Sequence, residues 1–288
     1  MKILVTGKTG QVGYELVRSL QPLGEVIGVD RRVMDLADLD QVRDVIRRIR
    51  PDIIVNPAAY TAVDKAESEP ELAMRINGLA PGVMAEEAER LGARLVHFST
   101  DYVFDGAKQG SYVETDMPCP INVYGESKLA GERAIAATNV SHLIFRTSWV
   151  YGMRGKNFLL TMMRLAAERD TLRIVADQHG APTWSRTIAD STASILNQYR
   201  DADDVDDWWD QYGGLYHLTA QGSTSWLGFA DALLHAAPVK PALVPIGSDE
   251  YPVAARRPAN SRLSCALLMS RFCQLPDWRD ALRLCQEK

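Results

Sequence analysis

The stretch that decides the fold is Lys2-Ile3-Leu4-Val5-Thr6-Gly7-Lys8-Thr9-Gly10-Gln11-Val12-Gly13. Ile3-Leu4-Val5 has the character of a buried strand. It breaks into a GxxGxxG turn, which opens into residues 12–20, where Val12, Leu16 and Leu20 recur at helical spacing. Each glycine answers a physical need. Gly7 permits the tight turn, Gly10 lets a pyrophosphate approach the backbone, and Gly13 lets helix and strand pack closely. The helix N-terminus adds free N–H groups and partial positive charge, both suited to phosphate. The loop lacks the Gly-Lys-Ser/Thr ending of a Walker A loop. An ordinary strand-to-helix turn is the plain alternative, and the place of the motif in a βαβ pattern favours a dinucleotide.

The alternation continues outward from this turn. Residues 26–29, 53–55, 95–98 and 143–145 read as further buried strands. Residues 39–49, 72–77, 81–91 and 127–137 read as the helices between them. Continuous apolar strands between helices predict a parallel sheet covered on both faces, and right-handed crossovers make it a doubly wound α/β domain of Rossmann type. Beyond residue 150 the pattern loosens. Helices are expected at 158–168 and 187–199, short strands at 215–218 and 243–245, and a solvated acidic loop at 201–210, with Trp208 and Trp209 packed onto the body. The expected division is a dinucleotide-binding domain of residues 1–148 plus roughly 170–200, and a smaller C-terminal substrate-binding lobe of residues 149–169 and 201–288.

Composition bounds the function. The 288 residues are 46% hydrophobic and 24% charged, which suits a globular chain with a sizeable core. Lys plus Arg number 32 against 37 Asp plus Glu, a net charge of −5, and no basic block argues for nucleic acid. No apolar run approaches the ~20 residues of a membrane helix, and no signal-peptide pattern precedes Ile3. Cys119, Cys265, Cys273 and Cys285 form no CxxC pair, so neither a disulfide framework nor a zinc site is expected. The chain reads as cytoplasmic.

Asp30 ends the second strand, where an acid can bond the ribose 2′-hydroxyl of NAD. Arg31 and Arg32 follow, and a guanidinium there suits the 2′-phosphate of NADP. NADPH or NADH is therefore the expected cofactor. Strand four runs into Ser99-Thr100-Asp101-Tyr102. Further on, Tyr124 and Lys128 stand four apart, which on a helix places phenol and ammonium on one face. A free phenol, with pKa about 10, is a poor acid–base group at neutral pH. A neighbouring ammonium is expected to lower it.

With these residues in place the sequence resembles the extended short-chain dehydrogenase/reductases, and within them the dTDP-4-dehydrorhamnose reductase family. The matching stretches are GKTGQVG (7–13), RPDIIVNPAAYTAVDKAESEP (50–70), STDYVFDG (99–106), PINVYGESKLAGE (120–132), FRTSWVYG (145–152), DQHGAPT (177–183) and ARRPANSRL (255–263). The resemblance implies reduction of the 4-keto group of dTDP-4-dehydro-L-rhamnose, with Thr100, Tyr124 and Lys128 as the catalytic set. It implies Gln11, Val12, Asp30, Asp35, Leu36, Ala59, Tyr60 and Thr61 along the cofactor, and Thr100, Asp101, Tyr102 and Trp149 at the sugar nucleotide. Arg256 and Arg257 are the candidates for the diphosphate, through bidentate bonds. Asn260 and Arg262 are weaker candidates. Trp149 would offer an aromatic face, or else pack in the core.

One departure concerns a metal. The resemblance implies that some members dimerise through Mg2+ held by carboxylates, one of them matching Glu15. The other aligned positions, Arg186 and Lys288, are cationic, and such a set cannot hold Mg2+. No metal is expected, and a homodimer would instead pair Glu15 with Arg186 or Lys288 across the interface. Two other readings stand beside the reductase. One is a non-catalytic, NADP-binding regulatory subunit of a methionine adenosyltransferase. The other is a reductase or epimerase of another nucleotide sugar.

Overall fold

The computed structural model describes residues 1–235 and 240–287. Strand β1 (Lys2–Val5) leads through α1 (Gln11–Ser19) to β2 (Glu25–Gly28), then through α2 (Leu39–Ile49) to β3 (Ile53–Asn56). β1 pairs in parallel with both strands, β2 on one side and β3 on the other. The chain thus reverses its direction of growth beside β1, and the crevice at such a reversal is where nucleotides bind. Ile3, Leu4 and Val5 are fully buried. Ile3 and Val5 join one core with Leu16 and Ile188, while Leu4 joins the opposite core with Val42, Ile46 and Met84. This is why the strand reads as an unbroken apolar run: both faces are covered.

Two short helices, α3 (Val63–Ala66) and α4 (Pro70–Met74), follow β3. A π turn, Arg75–Leu79, joins α4 to α5 (Ala80–Leu91), so the stretch expected as a helix at 72–77 is half α and half π. Then come β4 (Arg94–Thr100), α6 (Val123–Ala136) and β5 (His142–Thr147). Helix α6 begins four residues before the expected residue 127. Asn122 caps it, its side-chain oxygen accepting from Gly125 N at 2.8 Å. That early start places Tyr124 on the first helical turn.

The small lobe begins with β6 (Val150–Tyr151), α7 (Phe158–Glu168), β7 (Thr171–Val175), β8 (His179–Gly180) and β9 (Thr183–Trp184). Helix α8 (Ser185–Arg200) returns to the large sheet, where it packs on α1. Residues expected as a solvated acidic loop instead form α9 (Val205–Tyr212), because Asp204 caps it by accepting from the backbone N–H of Asp206 and Asp207. Trp208 and Trp209 are buried in the core with Tyr199, as expected of residues packed on the body.

The expected division needs two local corrections. β10 (Gly214–His217) pairs in parallel with β5 and completes a six-stranded sheet of order β10-β5-β4-β3-β1-β2, so it belongs with the nucleotide domain. β11 (Thr224–Ser225) and α10 (Trp226–Leu234) follow, then β12 (Ala242–Ile246), which pairs in parallel with β7. β7 therefore lies in the small lobe and not with the nucleotide domain. Both misplacements arise because a strand's partner is chosen by tertiary packing, not by its own residues. Helices α11 (Ala266–Arg271) and α12 (Trp278–Gln286) end the described chain, and Trp278 packs with Phe229, Leu159 and Tyr151 in the core of the small lobe.

Candidate active site

The phosphate loop is built from backbone. Gly7 adopts φ +56°, a left-handed conformation open to glycine. A Cβ on Gly13 would stand 2.2 Å from Gly7 O, so a side chain there would push α1 off the loop. Gly10 N donates to Gly7 O at 2.9 Å and precedes α1, whose N-terminus faces the crevice. Gln11 Oε1 accepts from Asn157 Nδ2 at 2.8 Å, which ties the loop to the N-cap of α7 in the small lobe. Val12 is half-buried beside the core.

Asp30 follows β2 with Lys8 Nζ at 4.0 Å and Arg32 Nη2 at 3.7 Å from its carboxylate. Arg31 turns the other way and bonds Asp35 through Nε at 3.0 Å. Lys8, inside the glycine motif, is thus a second cation beside Asp30, one that the sequence alone does not point to. Leu36 is buried, its side chain in the core with Val42 and Met84. On the opposite rim, Ala59 and Tyr60 are half-buried and Thr61 is exposed. Tyr60 is fixed at three points: its N–H donates to Asn77 Oδ1, its carbonyl accepts from Asn77 Nδ2, and its hydroxyl donates to Glu69. Asn77 also donates to Ser127 Oγ on α6 at 3.0 Å. The π turn aims Asn77 at this rim, and no local sequence signal marks such a turn.

The three expected catalytic side chains lie where β4 ends and α6 begins. Thr100 is the last residue of β4; its hydroxyl donates to Asp101 Oδ1 at 2.9 Å and accepts from Tyr102 N at 3.2 Å. A Cβ on Gly125 would stand 2.1 Å from Tyr102 O, so this glycine lets the first turn of α6 close onto the end of β4. The Tyr124 and Tyr102 rings meet edge to face, with centroids 5.5 Å apart. Lys128 is buried, and its Nζ donates to Phe98 O at 2.6 Å.

The electrostatics correct one expectation. Burial pushes the Tyr124 phenol up to about 12, the Thr100 side chain pulls it partly back, and the Asp101 charge raises it further. Burial thus outweighs any lowering by Lys128, whose Nζ donates to the β4 carbonyl of Phe98. Burial brings Lys128 itself down to about 8, against the Glu132 charge. Burial also raises Asp101 to about 6, opposed by hydrogen bonds from Ser261 and Thr100.

A carboxyl raised on folding favours the native state below its unfolded pKa, and that advantage is lost as pH rises through the folded value. The wild type should therefore lose stability relative to Asp101→Asn between pH about 4 and pH about 7. Melting temperatures of both proteins across that range test this, and a constant difference contradicts it.

The substrate-side candidates divide. Arg257 is held by Asp64 through two bonds of 2.8 and 2.6 Å, and this pairing lowers the Asp64 carboxyl. Arg257 lies close enough to Tyr102 to act on its phenol. The Arg256 side chain is exposed, and its carbonyl accepts from Asn122 Nδ2 at 2.8 Å, docking this segment on the cap of α6. Trp149 has φ +48° and stacks on Trp226 with centroids 3.6 Å apart, so one indole face is already covered. Asn260 spends its amide on Lys108 O and Gly110 O and its oxygen on Arg262, so both weaker candidates brace a loop. Glu15 meets Arg186 within one chain at 3.8 Å, not across an interface, because α1 and α8 pack side by side. Lys288 lies outside the described residues.

A doubly wound parallel sheet with a glycine-built phosphate loop, and a Thr, a Tyr and a Lys at the end of β4, define an extended short-chain dehydrogenase/reductase. The family model described as the RmlD substrate binding domain matches residues 1–288, and the chain belongs to that family. The dTDP-4-dehydrorhamnose reductase of Burkholderia thailandensis is 52% identical over 297 residues, covering 99% of this chain and 98% of the relative. The enzyme of the same name from Escherichia coli K12 is 46% identical, covering 97% of this chain and 95% of the relative. The dTDP-4-dehydrorhamnose reductase of Bacillus anthracis, solved in complex with NADP, superimposes with a TM-score of 0.89 at 37% identity, covering 99% of each chain.

Proposed function

We propose that this protein is an NAD(P)H-dependent oxidoreductase that reduces the 4-keto group of dTDP-4-dehydro-L-rhamnose to give dTDP-L-rhamnose. The observation that carries the reading is the closure of α6 onto the end of β4. It gathers Thr100, Tyr124 and Lys128 at the C-terminal edge of the sheet, the edge that also carries the glycine loop. The loop fits a dinucleotide, because the close approach of Gly13 to Gly7 seats the N-terminus of α1 directly on the turn. When bound, the reduced nicotinamide supplies the hydride.

The residues supply the rest. On substrate binding the Thr100 hydroxyl turns its single proton from Asp101 Oδ1 to the substrate carbonyl and polarises it without ionising. Tyr124, a neutral phenol across the working range, gives its proton to the oxygen as charge develops there. An alkoxide is a stronger base than a phenolate, so that transfer runs downhill. Lys128 holds the cofactor ribose, and Tyr102, Arg257 and Trp149 bound the sugar-nucleotide side. A dehydratase needs a second acid after the threonine to eliminate water; here Asp101 is followed by Tyr102, which suits simple reduction. NADPH oxidation with dTDP-4-dehydrorhamnose generated in situ, and the product weighed by mass spectrometry, tests this reading. Cofactor binding without turnover would support the regulatory-subunit reading instead.

Asp30 serves NADH, while Lys8 and Arg32 beside it serve the 2′-phosphate of NADPH. Lys8→Ala/Arg32→Ala is expected to lower the NADPH-to-NADH ratio of kcat/KM by about tenfold, the worth of one charge-assisted bond. An unchanged ratio removes the cations from that role. Among the described residues no helix is long and apolar enough to cross a membrane. The four cysteines are free, which suits the cytoplasm. A metal-free homodimer completes the proposal. Sedimentation with and without EDTA tests it: an EDTA-dependent dimer refutes the metal-free part, and a monomer at micromolar concentration refutes the dimer.

A further inference from the structure

A string of buried polar groups runs beneath the crevice from the phosphate loop to α6. Thr6 precedes Gly7, Asn56 ends β3 and His97 lies in β4. Thr6 is 1% exposed, Asn56 and His97 0%, and Lys128 1%. Asn56 and His97 are register partners on adjacent parallel strands, which points both side chains to one face of the sheet. The contacts form an unbroken series: Thr6 Oγ1 to Asn56 Oδ1 at 2.6 Å, Asn56 Nδ2 to His97 Nδ1 at 3.0 Å, His97 Nε2 to Lys128 Nζ at 3.2 Å, and Lys128 Nζ to Phe98 O at 2.6 Å.

Donor accounting gives the string a direction. Thr6 Oγ1 already accepts from Ala58 N at 3.2 Å and gives its own proton to Asn56 Oδ1. The Asn56 amide N–H is then the donor toward His97, so Nδ1 must accept, and a neutral imidazole carries its single proton on Nε2. That proton faces Lys128 Nζ. Only an unprotonated amine has a lone pair to receive it, since an ammonium is donor-only. The opposite direction requires the Asn56 amide turned over, His97 protonated on Nδ1, and the Thr6 hydroxyl proton displaced from its partner.

We propose that His97 is a positioning residue for this reaction: held by Thr6 and Asn56 as its Nε2–H tautomer, it donates to Lys128 and disfavours the ammonium there. The phosphate loop and the lysine of the catalytic helix are thereby joined by one hydrogen-bonded element. The proposal rests on the reading above that Lys128 serves the cofactor ribose. It deepens that reading by naming what sets the lysine's charge.

The titratable surroundings of Lys128 are few. Glu132, one turn on along α6, favours the ammonium, and burial opposes it. From β4 the facing group is His97, itself driven neutral by burial, by Lys128 and by His142 of β5. Asp101, on the turn after β4, acts on Tyr124. From the π turn, Arg75 reaches away to Ala37 O. On α3, Asp64 is engaged with Arg257 and Lys65 with Glu69. On α4, Glu71 is exposed, and on α5, Glu87 is held by Arg47 and Arg90. A lysine with so little opposing charge titrates where its hydrogen-bond partners set it.

The first test uses the wild-type protein. Long-range 1H–15N correlation of its histidines is expected to show His97 neutral and protonated on Nε2 at pH 9, above the Lys128 midpoint, while the Nδ1–H tautomer there overturns the proposal. The second follows Lys128 by 13C-lysine NMR. Asn at position 97 places its amide where Nδ1 was and cannot reach Lys128. His97→Asn should therefore raise the Lys128 midpoint, and with it the basic limb of kcat, by about one pH unit. His97→Gln, which reaches Lys128, should return it toward wild type. Equal midpoints in all three proteins overturn the proposal. Neither NMR measurement requires turnover, so an inactive wild type defeats the functional reading while leaving the string to be judged on its own signals.

Discussion

Tyr124→Phe is expected to lower kcat by about 10²–10⁴-fold, the range of one positioned general acid, with the NADPH Kd held within about twofold. The ring remains to pack edge to face on Tyr102, so the change deletes one hydroxyl and leaves the wall of the crevice in place. Because the phenol is pushed up to about 12, no titration of Tyr124 should shape the wild-type profile near neutrality. Steady-state kinetics and cofactor fluorescence titration check both halves. A variant near the wild-type rate removes Tyr124 as the acid. A variant that loses NADPH binding instead assigns the hydroxyl to cofactor positioning.

The largest expected stability effect lies two turns further along α6. Glu132 and Arg146 of β5 meet through paired bonds of 2.9 and 2.6 Å, and their side chains are 5% and 3% exposed. Ser99 Oγ donates to the same carboxylate, and Arg146 lies over the Phe104 ring at 5.0 Å. This pair fixes the helix bearing Tyr124 and Lys128 to the two strands beneath it. Glu132→Leu leaves the Arg146 charge buried without a partner, at a cost of about 3–5 kcal/mol and a Tm loss on the order of 10 °C. Removing both charges with Glu132→Leu/Arg146→Met should recover most of it, since well-packed apolar side chains often replace a buried pair at little cost. Calorimetry on the single and double variants decides. A double variant as unstable as the single one shows that the pair contributes more than the mutual neutralisation of its charges.

The parts of this molecule legible in the sequence are those whose physics is local. GKTGQVG carries its own turn, helix start and close approach within seven residues. The apolar runs of β1, β3, β4 and β5 follow from burial on both faces. The YxxxK spacing needs only helical geometry, although the helix starts earlier than expected: Asn122 follows Pro118 and Pro120 closely, and the segment reads as loop until its cap is seen. What escaped depends on neighbours distant in the chain. β10 reaches the large sheet by pairing with β5, and β7 leaves it by pairing with β12. Asp64 and Arg257 meet across 193 positions. Asn56 and His97 did leave a trace, as polar residues inside otherwise apolar strands, but their partnership exists only once β3 and β4 lie side by side. The lowering expected of the Tyr124 phenol likewise fails, because burial of its hydroxyl outweighs it.

The most direct test of the central claim is a crystal structure of the Tyr124→Phe protein with NADPH and dTDP-4-dehydrorhamnose bound. The account predicts Lys128 Nζ within about 3.2 Å of the nicotinamide ribose, and the sugar C4 oxygen at a similar distance from Thr100 Oγ1, facing the position-124 ring and the nicotinamide C4. A substrate carbonyl turned away from Thr100, or a nicotinamide lying beyond reach of Lys128, would contradict it.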